Sequence, residues 1–133
     1  MANTTFNGPV RSQNGFQSIT KSATTGAVTV TGTYGAAEIL GVQALSGAGA
    51  VDITNGVTSL TTTGASQALT LANGAAGQVK YIVHAVDGGS AVLTPTTKIG
   101  FSTITFTAVG DSATLVYTAT GWAVVGSKGV TIA

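Results

Sequence analysis

The scarcity of charge constrains this chain more than any other feature. Its 133 residues hold five Lys or Arg and four Asp or Glu, set among Thr, Gly, Ala and Val. Ordinary soluble domains are about a quarter charged. All-β proteins in particular use Lys, Glu and inward-pointing charge to stop open sheet edges pairing with other molecules. A sequence that forgoes this protection implies edges and apolar faces closed by other subunits or by a larger assembly. Its residues point to assembly rather than chemistry.

The length suits one domain that buries about two-thirds of its unfolded surface, enough for a core without staples. With no cysteine there is neither a disulfide framework nor a thiolate metal site, so stability must come from packing, strand pairing and association. Uncharged stretches such as Ala65 to Val79 are interrupted by Gly, Asn, Ser and Gln. None approaches the roughly 20 apolar residues of a membrane helix. The opening Met1-Ala2-Asn3-Thr4-Thr5 lacks a basic and then apolar leader, so the chain reads as one made and kept in a cytosol. Arg11, Lys21, Lys80, Lys98 and Lys128 are scattered singly, which provides no footprint for nucleic acid or an anionic membrane.

Residues 1–21 contain Asn-Gly twice, Gly8-Pro9 and two isolated aromatics, Phe6 and Phe16. With few apolar neighbours at regular spacing, this segment reads as an extended N-terminal arm preceding a β domain over 22–133. Extended, sixteen residues reach roughly 50 Å, far enough to cross a neighbouring subunit. Within 22–133, Gly26 to Thr33 alternates Val28 and Val30 with threonine, a strand period. Tyr34 to Leu45 is ambiguous between a short helical turn and strand ends. Ala50–Ile53, Val57–Thr61 and Gln67–Leu71 read as short strands.

Further on, Gln78–Val86 is a strand, Asp87-Gly88-Gly89 a hairpin turn, and Ser90–Thr94 its returning partner. Thr103–Ala108, Ser112–Thr118 and Gly121–Gly126 complete the series. Strands about ten residues apart with turn signals between them predict an all-β fold, a compact antiparallel sandwich or barrel. No repeat of 20 to 50 residues is visible, which argues against a solenoid.

The residues nominate no catalytic centre. His84 falls on the strand face of Ile82 and Val86 with no carboxylate or second ligand nearby in sequence, so it reads as a core or interface histidine and not as a base or a metal ligand. Asp87 and Asp111 sit where turns account for them, and no G-x-S-x-G elbow is present. Gly47-Ala-Gly49 lacks the third glycine and following helix of a dinucleotide loop. The four acids are too dispersed for a calcium loop. No enzyme activity, metal or cofactor is expected. Tyr117 and Trp122 are assigned with His84 to core or subunit interface, and Gly121 to close approach beneath the Trp122 ring.

Two stretches carry a resemblance. One is Asn3-Thr4-Thr5-Phe6-Asn7-Gly8-Pro9-Val10-Arg11-Ser12-Gln13-Asn14-Gly15-Phe16. The other is the pattern Ala68-Leu69-Thr70-Leu71, Gly77-Gln78-Val79-Lys80, Asp87-Gly88-Gly89, Ile104-Thr105-Phe106, Gly110-Asp111-Ser112-Ala113-Thr114-Leu115, Gly121-Trp122 and Gly126. In these the chain resembles a family of tailed-phage structural proteins, especially of marine phages and cyanophages, that includes capsid decoration or cement proteins and head fibres. The resemblance implies a homotrimer on the outer capsid surface at three-fold or quasi-three-fold positions, clamping the head. Its partners would be itself and the major capsid protein. Phe6, Pro9, Arg11 and Phe16 would anchor the arm, and the protein would be made in the host cytoplasm and reside on the virion. A trimeric tail-fibre or spike receptor-binding domain is the alternative.

Overall fold

Alternation of β-branched residues with small polar ones yields strands throughout the computed structural model, which describes residues 16–34 and 38–133. Among the described residues there is no helix. Within the ambiguous window Tyr34, Glu38–Ile39 and Val42–Leu45 are strand residues, while residues 35–37 lie outside the described residues. The chain forms two compact units, one ending at Leu40 and the other spanning Gly41–Ala133.

The first unit is an antiparallel sheet of β1 (Phe16–Lys21), β2 (Val28–Tyr34) and β3 (Glu38–Ile39) in the order β1-β2-β3. Gly26, at φ +71°, closes the β1–β2 turn by donating its N–H to the Ser22 carbonyl at 2.9 Å. The last six residues of the expected arm thus form a paired strand. Phe6, Pro9 and Arg11 lie outside the described residues.

The second unit holds β4 (Val42–Ser46), β5 (Gly49–Val51), β6 (Val57–Thr61), β7 (Gln67–Leu71), β8 (Val79–Val86), β9 (Ala91–Pro95), β10 (Ile104–Phe106), β11 (Ser112–Tyr117), β12 (Trp122–Lys128) and β13 (Thr131–Ile132). They make two five-stranded sheets, β12-β11-β8-β6-β4 and β13-β10-β9-β7-β5. Leu60, Ile82, Leu115 and Trp122 of one sheet and Leu69, Leu71, Leu93, Ile104 and Phe106 of the other share a single buried cluster. This is a sandwich, as expected, but not an antiparallel one.

From β4 to β9 the chain alternates between sheets, so that β4, β6 and β8 pair in parallel and β5, β7 and β9 do the same. Three rungs are stacked in this way, and only β10 to β13 add antiparallel pairs. The expected β8–β9 hairpin is therefore corrected: Asp87-Gly88-Gly89 carries the chain from one sheet to the other. Rungs begin at Val42, Val57 and Val79, and this unequal spacing hides the coil from a search for sequence repeats.

Glycine is needed at this corner for a reason other than a hairpin turn. A Cβ on Gly88 would collide with the Thr62 carbonyl of the rung before, and one on Gly89, at φ +142°, with the Gly64 backbone. Stacked corners approach too closely to admit a side chain. The variant Gly88→Ala is expected to lose about 2 kcal/mol or more, as a lower urea midpoint at unchanged m-value.

Candidate functional site

Residues paired across a sheet share a face, and the ladder registers define the outer face of the β12-β11-β8-β6-β4 sheet. One row runs Val42, Val57, Tyr81, Thr114, Gly126, and the next runs Ala44, Ser59, Val83, Ser112, Lys128. A third, shorter row contains Val79, Val116 and Ala123. Thirteen positions thus carry one charge, that of Lys128 at the β12 edge. Tyr81 and Val83, on the central strand β8, are each 39% exposed, and Val42, on the edge strand β4, is 60% exposed.

The opposite outer face differs in chemistry. Its rows are Ala68, Val92, Thr105, Thr131 and Ala50, Thr70, Thr94, small and hydroxyl-bearing residues that water solvates well. The two faces of one sandwich are therefore unequal, one wettable and the other suited to burial against a partner.

Three of the four edges of these two sheets are guarded by geometry more than by charge, and the fourth, β4, is a regular five-residue strand. The strands β5 and β13 at the ends of one sheet have three and two residues. At the end of the other, β12 has a register shift opposite Thr114/Leu115 and carries Lys128. Short and bulged edges resist adding a foreign strand.

Two polar clusters occupy the interior. In the first, Thr62 joins two corners: its hydroxyl accepts the Gly88 N–H at 2.8 Å, donates to the Gly89 carbonyl at 2.9 Å and lies 3.0 Å from His84 Nε2. Because the Thr62 proton is committed to Gly89, His84 is the donor to Thr62 and its proton sits on Nε2. Nδ1 is then a bare acceptor, and it is buried without a partner. A neutral lone pair costs less to leave unpaired than an N–H. Asp111, distant in sequence, lies near this ring, which the local sequence around His84 did not reveal. Its carboxylate accepts the backbone N–H groups of Thr107 at 2.8 Å and Ala108 at 2.9 Å. Those bonds, the Thr107 one foremost, hold its pKa below the usual carboxylate value.

In the second cluster Lys80 is fully buried, with its Nζ donating to the Asn55 carbonyl at 2.7 Å and lying 3.5 Å from Asp52 Oδ1. Burial lowers the Lys80 pKa despite the nearby Asp52 charge. At Asp52 burial pushes upward, but hydrogen bonds from Asn55 and the Lys80 charge together outweigh it and leave the carboxyl below its ordinary value. Lys80 is one of the five cations scattered singly along the sequence. Alternation with Ile82 and His84 on one strand face was the signal that it points inward.

His84 and Trp122 are fully buried within this chain, and Tyr117 is partly buried against the same core. Trp122 donates Nε1–H to the Ala72 carbonyl at 2.8 Å and meets the Tyr117 ring edge-on at 5.2 Å. The glycine that makes room for the indole is Gly74, whose Cβ would lie 3.0 Å from Cζ2, while Gly121 allows instead the approach of the Thr97–Lys98 backbone. Val86 does not share the His84 face as alternation implied. The register shifts between Leu60/Thr61, with His84 opposite Leu60 and Val86 opposite Thr61, and this turns Val86 outward.

Phe16 begins β1, on a different unit from His84, Tyr117 and Trp122. Among the described residues no three His, Cys, Asp or Glu side chains are grouped to hold a metal ion. No protein-family model matches the chain, and no curated protein matches its sequence.

Replacing Thr62 by Val leaves the Gly88 N–H, the Gly89 carbonyl and His84 Nε2–H without their partner. It is expected to cost about 3 kcal/mol in urea unfolding, whereas Thr62→Ser, which keeps the hydroxyl, costs about 1 kcal/mol. Asp111 has a depressed folded-state pKa. Its stabilisation is therefore present above the ordinary value of 3.8 and is lost as pH falls through and below it. Asp111→Asn should lower stability at neutral pH and flatten the acid limb of a stability–pH curve measured below about pH 4.

Proposed function

We propose that this chain is a structural subunit of a phage head, a capsid decoration protein that binds the outer shell as a homotrimer at three-fold or quasi-three-fold positions. The observation that supports this reading is the five-stranded outer face, apolar in its middle and carrying one charge at its edge. Burying such a face contributes about 25 cal/mol per Å² of apolar area. Because the face has almost no charge, its partner needs little electrostatic complementarity.

Assembly is also consistent with the described residues, among which no three metal-ligating side chains are grouped. The buried polar groups of Thr62, His84, Asp111 and Lys80, with the partly exposed Asp52, tie strands and corners together. A subunit that binds the assembled lattice but not dispersed capsid proteins stabilises the shell by mass action. Three arms per trimer strengthen the hold, since each contact after the first is intramolecular. The sequence resemblance to phage decoration proteins supplies the virion, the trimer and the capsid partner of this reading. Phe6, Pro9 and Arg11 are its proposed anchors, and catalysis has no part in it.

The test combines purified chain with undecorated heads and, separately, with tails. Binding to heads and not to tails is expected, and binding to tails alone would favour a fibre or spike role. Val83→Asp should leave the fold intact by circular dichroism and convert the trimer to monomer in sedimentation equilibrium. Removal of residues 1–15, which stops short of β1, should preserve the trimer and reduce head binding more than tenfold. A monomeric parent protein, or full head binding after truncation, contradicts the proposal.

A further inference from the structure

Lys80, Asn55 and Asp52 meet in one cluster that includes an amine, a carboxamide and a carboxylate. Asp52 Oδ2 accepts the Asn55 Nδ2–H at 2.7 Å, while its Oδ1 lies 3.5 Å from Lys80 Nζ. One carboxylate therefore touches both the amine and the carboxamide nitrogen. The Asn55 main-chain N–H also binds Oδ1, at 2.9 Å, which fixes the turn between β5 and β6. Lys80 Nζ in turn is bonded to Asn55 itself, through the main-chain carbonyl. Gly41 leaves the space into which the Asn55 side-chain oxygen fits, since a Cβ there would overlap it. The lysine side chain has no exposed surface and Asp52 is 32% exposed, so water has limited access to the amine.

The geometry points to an intramolecular isopeptide bond between Lys80 Nζ and Asn55 Cγ, formed with Asp52 as the proton carrier. The lone pair of the neutral Lys80 amine attacks Cγ, and the new C–N bond gives a tetrahedral centre. Asp52 removes a proton from Nζ and delivers it to Nδ2. The Cγ–Nδ2 bond then breaks, its electron pair leaving with the nitrogen as ammonia. The balance is one amine and one primary amide giving one secondary amide and NH3, with no oxidant or co-reactant. Burial favours the neutral amine that the attack requires. The product would join β8 covalently to the turn preceding β6, locking neighbouring rungs together whatever partner covers the outer face.

The test is the mass of the purified full chain and of its tryptic fragments after denaturation. Closure of the bond removes about 17 Da as ammonia and blocks cleavage after Lys80, which leaves a single fragment over residues 22–98 whose fragment ions join Asn55 to Lys80. Asp52→Asn, Asn55→Ala and Lys80→Met should each restore the unmodified mass apart from the substitution itself, and the first two should restore cleavage after Lys80. The Asn55-Gly56 pair can also lose ammonia by closing on its own backbone, but that product remains cleavable after Lys80. Loss of about 17 Da with normal cleavage at Lys80 overturns the proposal, as does a parent chain at full mass after prolonged incubation. Persistence of the cross-link in Asp52→Asn overturns the role given to Asp52.

Discussion

The close stacking of successive corners is the constraint on which the second unit depends. Parallel strands in each sheet require the chain to cross to the other sheet and return, and every crossing must lie on the one before it. Where Gly88 and Gly89 cross, the backbone of Thr62 to Gly64 is already within the space a side chain would need. Glycine makes that approach sterically possible, and the Thr62 hydroxyl then satisfies the polar backbone groups of the upper corner. A corner of this kind buries peptide groups at small cost because donor and acceptor are both paired.

Polar side chains placed inside the sandwich follow the same logic. Thr62 and His84 secure one corner, Asp111 secures the turn entering β11, and Lys80 reaches the turn between β5 and β6. Thr62, Asp111 and Lys80 are engaged with backbone groups that strand pairing alone leaves open, and His84 bonds the Thr62 hydroxyl. A core otherwise made of Leu, Ile, Phe and Trp accommodates them because each has its own partners, with His84 Nδ1 the exception. The charge the chain does possess is thus partly spent inside, which makes the outer face poorer in charge than composition alone conveys. Unequal faces follow: threonine on one sheet, valine and tyrosine on the other. That asymmetry links the fold to association, since only one face gains much by leaving water.

Much of the fold was legible as local pattern. Val57–Thr61 and Gln67–Leu71 were read with their observed bounds because two-residue alternation is imposed by the pleat itself. The same rule put His84 on one face with Ile82, apart from Tyr81 and Val83, and the structure makes that face the inner one. Strand direction and sheet membership did not follow from it, since Asp-Gly-Gly is compatible with a hairpin and with a corner, and only contact with Thr62 and Gly64 distinguishes them. The Val86 face was misread because a register shift in the ladder with β6 has no signature within β8. The outer face was only half visible: alternation places Tyr81 and Val83 together, but Val42, Val57 and Val116 join them through pairings distant in sequence.

By itself, the sequence determined that this protein is built of strands, that it has no thiol chemistry, and that it has too little charge to shield every surface it makes. Those properties are set by residue type and spacing along a single strand. Tertiary structure decided which strands run parallel, which threonine bonds which corner, and that a fully buried Lys80 meets Asp52 and Asn55. These depend on backbone segments tens of residues apart coming within a few ångströms, and that proximity arises only when the two sheets close on their common core.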